Sequence, residues 1–469
     1  MFAFKSLLDM PRGEALAVVV ALIAAMGYTI ISLEWLPHMS IIAAIVVLIL
    51  YGLARGLKYN DMQAGMIGAL NQGMGAVYLF FFIGLMVSAL MMSGAIPTLM
   101  YYGFGLISPT YFYFSAFALC SVIGVSIGSS LTACATVGVA FMGMAAAFQA
   151  DMAMTAAFQA DMAMTAGAIV SGVFFGDKMS PLSDTTGISA SIVGIDLFEH
   201  IKNMMYTTIP AWLISAALML WLLPSVAAQD LNSVESFRSQ LEATGLVHGY
   251  SLIPFALLVV LALMRVNAVV AMLFTVIAAV AVTYLHSTPD LRQLGAWFYG
   301  GYKLEGEAFK DIAKLISRGG LESMFFTQTI VILGMSLGGL LFALGVIPSL
   351  LEAVRTFLTN AGRATFSVAM TSVGVNFLIG EQYLSILLSG ETFKPVYDKL
   401  GLHSRNLSRT LEDAGTVINP LVPWSVCGVF ISHALGVPVW EYLPYAFFCY
   451  LSLALTLLFG WTGLTLSKK

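Results

Sequence analysis

The chain has 469 residues, of which 59% are hydrophobic and only 10% charged, and its formal net charge is −4. A soluble domain carries about a quarter charged residues, so this composition cannot cover a water-facing surface. The small charge and the lack of a basic patch interleaved with aromatics also exclude a nucleic-acid partner. Several continuous apolar runs approach the roughly 20 residues needed to cross a bilayer. Being continuous rather than alternating, they predict an all-α polytopic membrane protein and exclude a transmembrane barrel. The lipid bilayer is therefore the first partner.

The N-terminal stretch MFAFKSLLDMPRGEALAVVV is charged at its start and apolar after it, without a cleavage site. It predicts a retained first helix rather than a signal peptide. Candidate spans lie near 14–33, 36–54, 76–95, 203–225, 251–264, 266–286, 323–344 and 438–460. Polar residues interrupt two more, near 164–199 and 404–432, which predicts broken helices. The stretches 110–148 and 365–393 carry Gly, Ser, Thr or Glu at their midpoints and predict helix–break–helix hairpins. With the N-terminus inside, most lysines and arginines fall on the cytoplasmic side. Both termini are then expected on the cytoplasmic side.

The two halves resemble each other. GAIPTL, Gly94 to Leu99, matches GVIPSL, Gly345 to Leu350, and SPLSDTT, from Ser180, matches NPLVPWS, from Asn419. This predicts a first repeat over 1–225, an exterior loop over 226–250 and a second repeat over 251–469. About five spans per half would make the second repeat inverted, a mark of secondary transporters whose sites lie where broken helices meet. AAFQADMAMT occurs twice in succession, at 146–155 and 156–165. We read the second copy as a tandem duplication in a connection, where insertions are tolerated; Asp151 and Asp161 are then not functional.

The chemistry concentrates in GDKMSPLSDTT, Gly176 to Thr186. Pro181 must open the helix, and freed carbonyls survive at membrane depth only against protein or a water-filled cavity. Asp177, Ser180, Ser183, Asp184, Thr185 and Thr186 add oxygen ligands of the kind hard cations take. Lys178 partly neutralises them, and intramembrane charges usually mark a pathway. The partner segment, Arg409 to Ser425, brings Glu412, Asp413, Thr416 and Asn419. An aspartate there can hold a proton or a sodium ion but not both, which is the simplest antiport mechanism; Asp177, Asp184 and Asp413 are the expected sodium ligands. Glu412 and Asp413 also read as helix-start acids at the cytoplasmic mouth. At the hairpin tips stand Ser129, Ser130 and Thr132, and then Asn376, Glu381 and Gln382. The amino ends of their half-helices suit an anionic group.

FFGDKMSPLSDTT with DLFEHI downstream, and QYLSILLSG, GLHSRNLSRTLEDAGTV and PLVPW with GVP and YLPYAFF, resemble the NhaC-type sodium/proton antiporter family. The likeness covers nearly the whole chain. Membership in the wider ion transporter superfamily implies inverted repeats, re-entrant hairpins and a moving transport domain. It places the ion-site role on Asp177, Ser180, Asp184, Thr185, Thr186 and Asp413. The expected function is sodium/proton antiport by alternating access, with sodium ions and protons as cargo and no cofactor. The alternative is a sodium- or proton-coupled carrier of a small carboxylate or amino acid. A homodimer is the candidate assembly. An enzyme is not expected, since HExxH, GxSxG and paired-His motifs are missing. Cys120, Cys134, Cys427 and Cys449 lack CxxC spacing, so neither a metal centre nor a disulfide is inferred.

Overall fold

A bilayer offers no water to peptide groups, so a chain this apolar must pair its backbone within helices. The computed structural model describes residues 6–106, 109–150, 161–222, 238–264, 266–304, 317, 319–355 and 360–469. The described residues are helical, apart from turns and an isolated bridge between Leu402 and Lys468. Among them, four helices are long and apolar enough to cross a membrane alone, or up to seven if each bent pair is one span.

The first half opens with α1 (Arg12–Gly27), prolonged by a π turn over Tyr28–Ser32, and α2 (Pro37–Ala54). Only 22% of each span's apolar window is buried, so both present most of their surface to lipid. Next comes α3 (Tyr59–Met92), whose 34 residues extend about 51 Å. The expected span covered only 76–95. The polar-flanked stretch before it is also helical, because Gly65 lets α3 press its backbone onto Gly339 of the second half. After α4 (Ala95–Leu106) come α5 (Phe112–Ile127), α6 (Ser130–Ala133), a π turn over Cys134–Gly138 and α7 (Val139–Ala150). The half closes with α8 (Met162–Met179), α9 (Asp184–Val193) and α10 (Leu197–Trp221).

The second half runs through α11 (Ile253–Leu263), α12 (Ala268–Thr283), α13 (Leu291–Gly300), α14 (Leu321–Ala343) and α15 (Val346–Arg355). It continues with α16 (Ala361–Ile379), α17 (Gln382–Lys399) and α18 (Ser404–Leu411), the last prolonged by a π turn over Glu412–Thr416. It ends with α19 (Val426–Leu435), α20 (Val439–Tyr442) and α21 (Phe447–Thr462). The short amphipathic α13 falls in a stretch that the apolar runs left unassigned. The part of the expected connecting loop at 226–237 lies outside the described residues; within the rest, Leu241 is buried.

Contacts set the direction of the interrupted segments. The Asp161 amide donates to the Tyr113 hydroxyl, and Gly124 abuts Gly176, so α5 and α8 run side by side in the same direction. The chain turns at Gly128, against Ser180 and Leu182, and comes back past Ile169 at Gly138. In the second half the Ser385 hydroxyl donates to the Ser372 carbonyl, and the Thr365 and Tyr397 hydroxyls lie 3.4 Å apart. The legs α16 and α17 are therefore antiparallel about Gly380. Both turning glycines are left-handed, with φ of 69° at Gly128 and 76° at Gly380, a backbone that glycine adopts without steric cost.

The duplicated decapeptide is divided between elements. Its first copy ends α7 through Ala150, and residues 151–160 lie outside the described residues. Asp161 of the second copy caps α8 by accepting from the Ala163 and Met164 amides. Asp161 thus has a structural task.

Candidate functional site

Six Asp, Glu, Lys or Arg side chains, Asp177, Lys178, Glu381, Arg409, Glu412 and Asp413, are buried among the described residues. All of them lie at or beside the breaks. In the first break α8 stops at Met179, Ser180 to Ser183 form a turn, and α9 restarts under a cap from Ser183 to the Thr186 amide. In the second, α18 passes into a π turn that carries Glu412 and Asp413, and the chain bends by 45° before α19. A π turn offsets side chains from their α-helical positions and recurs at functional sites; here all five of its residues are buried.

An ion pair joins the two breaks. Lys178 Nζ donates to Asp413 Oδ1 and, at 2.9 Å, to Ser452 Oγ. Thr207 Oγ1 donates to Asp413 Oδ2 at 2.9 Å, and Ser452 Oγ donates to Oδ1. Both charges are wholly buried. Such a pair forms only with close contact and extra hydrogen bonds, since each ion has lost its water. The hydroxyls of Thr207 and Ser452 supply those bonds. Both oxygens of Asp413 are thereby engaged, and the cation beside it is the protein's own.

The other two carboxylates of the centre are less engaged. Asp177 Oδ2 accepts from Ser130 Oγ at 2.8 Å, which ties the first hairpin tip to the end of α8. Glu412 Oε1 accepts from Ser189 Oγ at 2.8 Å, which ties the π turn to α9. Glu412 Oε2 and Thr416 Oγ1 are buried and near each other, with no other partner among the described residues, and Glu412 lies within electrostatic reach of Asp177 and Lys178. His200, buried on α10, meets Ser408 Oγ at 2.8 Å on the approach to the π turn.

Asp184 stands apart. It occupies the first turn of α9, is accessible and makes no hydrogen bond among the described residues, though it acts electrostatically on Asp177 and on Tyr383 of the second hairpin. Among the described residues no group of three His, Cys, Asp or Glu side chains is gathered as for a metal ion. Of the expected trio, Asp177 bonds a serine, Asp184 is accessible but within electrostatic reach of Asp177, and Asp413 is paired with lysine.

The remaining candidates serve backbone. Ser180 Oγ accepts from the Leu182 amide, Thr186 Oγ1 donates to the Lys178 carbonyl, and the Ser183 and Thr185 hydroxyls lie 3.0 Å apart. Ser129 caps α6 by accepting from the Thr132 amide, and the Thr132 hydroxyl bonds it too. In the second half Asn376 donates to the Gly415 carbonyl at 2.7 Å, and Asn419 donates to Asn376 Oδ1 at 2.9 Å. Asn419 also accepts from the Cys427 amide. Glu381 caps α17 by accepting from the Leu384 amide at 2.8 Å, and Gln382 Oε1 faces Cys427 Sγ. Residue reading alone missed Ser189, Thr207 and Ser452. They stand in ordinary apolar helices, and only their three-dimensional neighbours distinguish them.

An anionic centre built on interrupted helices and hairpin tips inside a polytopic helical protein defines the class of secondary transporters. A model described as the Na+/H+ antiporter family matches residues 172–464. The chain is 36% identical to the Na+/H+ antiporter NhaC of Alkalihalophilus pseudofirmus, over 92% of both chains. It is 38% identical to the Na+/H+ antiporter NhaC of Bacillus subtilis, over 90% of this chain and 92% of that one. It is 30% identical to the malate-2H+/Na+-lactate antiporter of Bacillus subtilis, over 88% and 86%. This chain belongs to the Na+/H+ antiporter family.

Proposed function

We propose that the chain exchanges sodium ions for protons by alternating access, with Asp177 and Glu412 as the carboxylates that the two cargoes share. The observation that carries this reading is the buried charge. Four carboxylates, Asp177, Glu381, Glu412 and Asp413, face two bases, Lys178 and Arg409. An isolated buried charge is costly, so the surplus carboxylates must hold either a proton or a cation. Occupation by one excludes the other, and that exclusion couples the two fluxes. The relatives named antiporters support the same reading.

Each group then has a role. Glu412 Oε2 and Thr416 Oγ1, which have only each other among the described residues, and Asp177 beside Ser130 offer the oxygen ligands that a hard cation takes. Asp413 is the fixed counter-charge of Lys178. Interacting carboxylates titrate as a set, so the exchanged proton belongs to the group and not to one residue. Ser180, Thr185, Thr186 and Asn419 shape the breaks, and Asp184 marks an approach from the exposed face. We further propose that the halves are inverted repeats in a bacterial inner membrane with both termini cytoplasmic. The recurring order of short helix, hairpin and broken helix supports this.

Sodium-driven pH change in proteoliposomes tests the exchange. Glu412→Gln is expected to abolish it while the unfolding temperature stays within a few degrees of the parent. Full flux in this variant would overturn the reading. A second reading, a carrier of a small carboxylate, rests on the malate–lactate relative. It predicts that flux appears only when malate or lactate is added.

A further inference from the structure

We propose that a glycerophospholipid is a structural ligand of this protein, with one acyl chain in the cavity between α1, α15 and α16 and its phosphodiester on Arg12. The cavity measures about 450 Å³ and is lined mainly by apolar side chains, Leu350, Leu351 and Leu378 among them. That volume is within the range of small-molecule sites. An apolar cavity at membrane depth takes a hydrocarbon chain in preference to water.

Two features separate this cavity from a packing flaw. The first is Gly374, within α16, where an added Cβ would meet nothing within 4 Å. Gly13 of α1, across the same cavity, is open in the same way, whereas Gly124 and Gly176 let backbones touch. Gly374 pays the poor helix propensity of glycine and returns only empty space. The second is Arg12, the first residue of α1 and hence at a membrane boundary. It lines the cavity and makes no hydrogen bond or ion pair among the described residues. The acid two residues on, Glu14, is taken by Arg55 at 3.1 Å and by the Tyr51 hydroxyl at 2.6 Å. Asp9 and Glu352 are exposed and form no ion pair with Arg12 among the described residues.

A guanidinium binds phosphate oxygens through two parallel hydrogen bonds, so Arg12 matches a phosphodiester at the cavity mouth. Thr371, whose buried hydroxyl has no partner and which lines the same cavity, supplies a donor for an ester carbonyl. The lipid would lie against α16, the hairpin leg that also carries Asn376.

Native mass spectrometry of the delipidated full chain, titrated with phosphatidylethanolamine or with a diacylglycerol of the same acyl chains, tests the assignment. The parent should bind one phosphatidylethanolamine about tenfold more tightly than the diacylglycerol. Arg12→Gln should erase that preference. Gly374→Leu, which fills the cavity, should weaken both ligands about tenfold while unfolding at no lower temperature than the parent. Unchanged lipid affinity in Gly374→Leu would overturn the proposal, as would a preserved headgroup preference in Arg12→Gln. A second copy of the chain in place of the lipid, seen as a dimer that Gly374→Leu dissolves, would overturn it too.

Discussion

Around the second break, Asn376 and Asn419 reach across elements to peptide groups, Asn376 to the Gly415 carbonyl and Asn419 to the Gly380 carbonyl, while Ser425 bonds the Asn419 carbonyl within the break. Around the first, the hydroxyls of Ser129, Ser180 and Ser183 bond near neighbours in the chain, and the cap from Ser183 to the Thr186 amide is long, at 3.5 Å against 3.0 Å for Ser425 to Gly428. Amide bonds between separate elements hold a shape, whereas local hydroxyl contacts can be exchanged for other oxygen partners at little cost. We propose that the polar scaffold of the second break is the frame and that the first break is the more adaptable segment, with Glu412 carried on that frame as a cation ligand.

Four substitutions break or sharpen that contrast. The largest effect belongs to the ion pair that ties one break to the other. Lys178→Met leaves Asp413 buried beside no cation and should cost about 3–5 kcal/mol, read as a fall in unfolding temperature. The double variant Lys178→Met/Asp413→Asn should recover much of that loss. If the single variant is as stable as the parent, the pair does not hold the breaks together. Next is Asn419→Ala, which strips partners from Asn376 and the Cys427 amide. It should cost about 1–3 kcal/mol for each group left unsatisfied, with transport reduced in proportion to folded protein.

The two caps compare the breaks directly. Ser425→Ala should cost about 1 kcal/mol and Ser183→Ala less, since the longer cap is the weaker one. Denaturant midpoints that reverse this order would remove the distinction between frame and adaptable segment. The smallest effect is expected from deleting residues 151–160. The copy that remains still ends α7 and caps α8 through Asp161, so stability should change by no more than about 0.5 kcal/mol. Loss of sodium-driven flux in that variant would show that the duplication matters.

Part of the site was legible residue by residue. Prolines, charges and hydroxyls in an apolar chain are local facts, and each forces a helix to open or a group to be paired wherever it lies. Asp177, Glu381, Glu412 and Asp413 could be selected for that reason, and the structure buries all four. Asp184 could not be told from them, because the turn after Pro181 decides how far it is buried, and it stays accessible. The length of α3 was hidden for the opposite reason: polar residues ahead of the apolar run kept that stretch out of the expected span, while a glycine contact with α14 holds it helical.

Composition and pattern by themselves determined an all-α membrane protein whose polar residues gather at interrupted helices, and the motifs placed it in its family. Hydrocarbon supplies no hydrogen bonds, so any sequence this apolar meets the same constraint. Only the tertiary structure decided who pairs with whom. Lys178 lies next to Asp177 in sequence but bonds Asp413, 235 residues away, and Ser189 reaches Glu412 across 223. A buried charge takes the partner that packing brings within reach, and adjacent residues on a helix point in different directions.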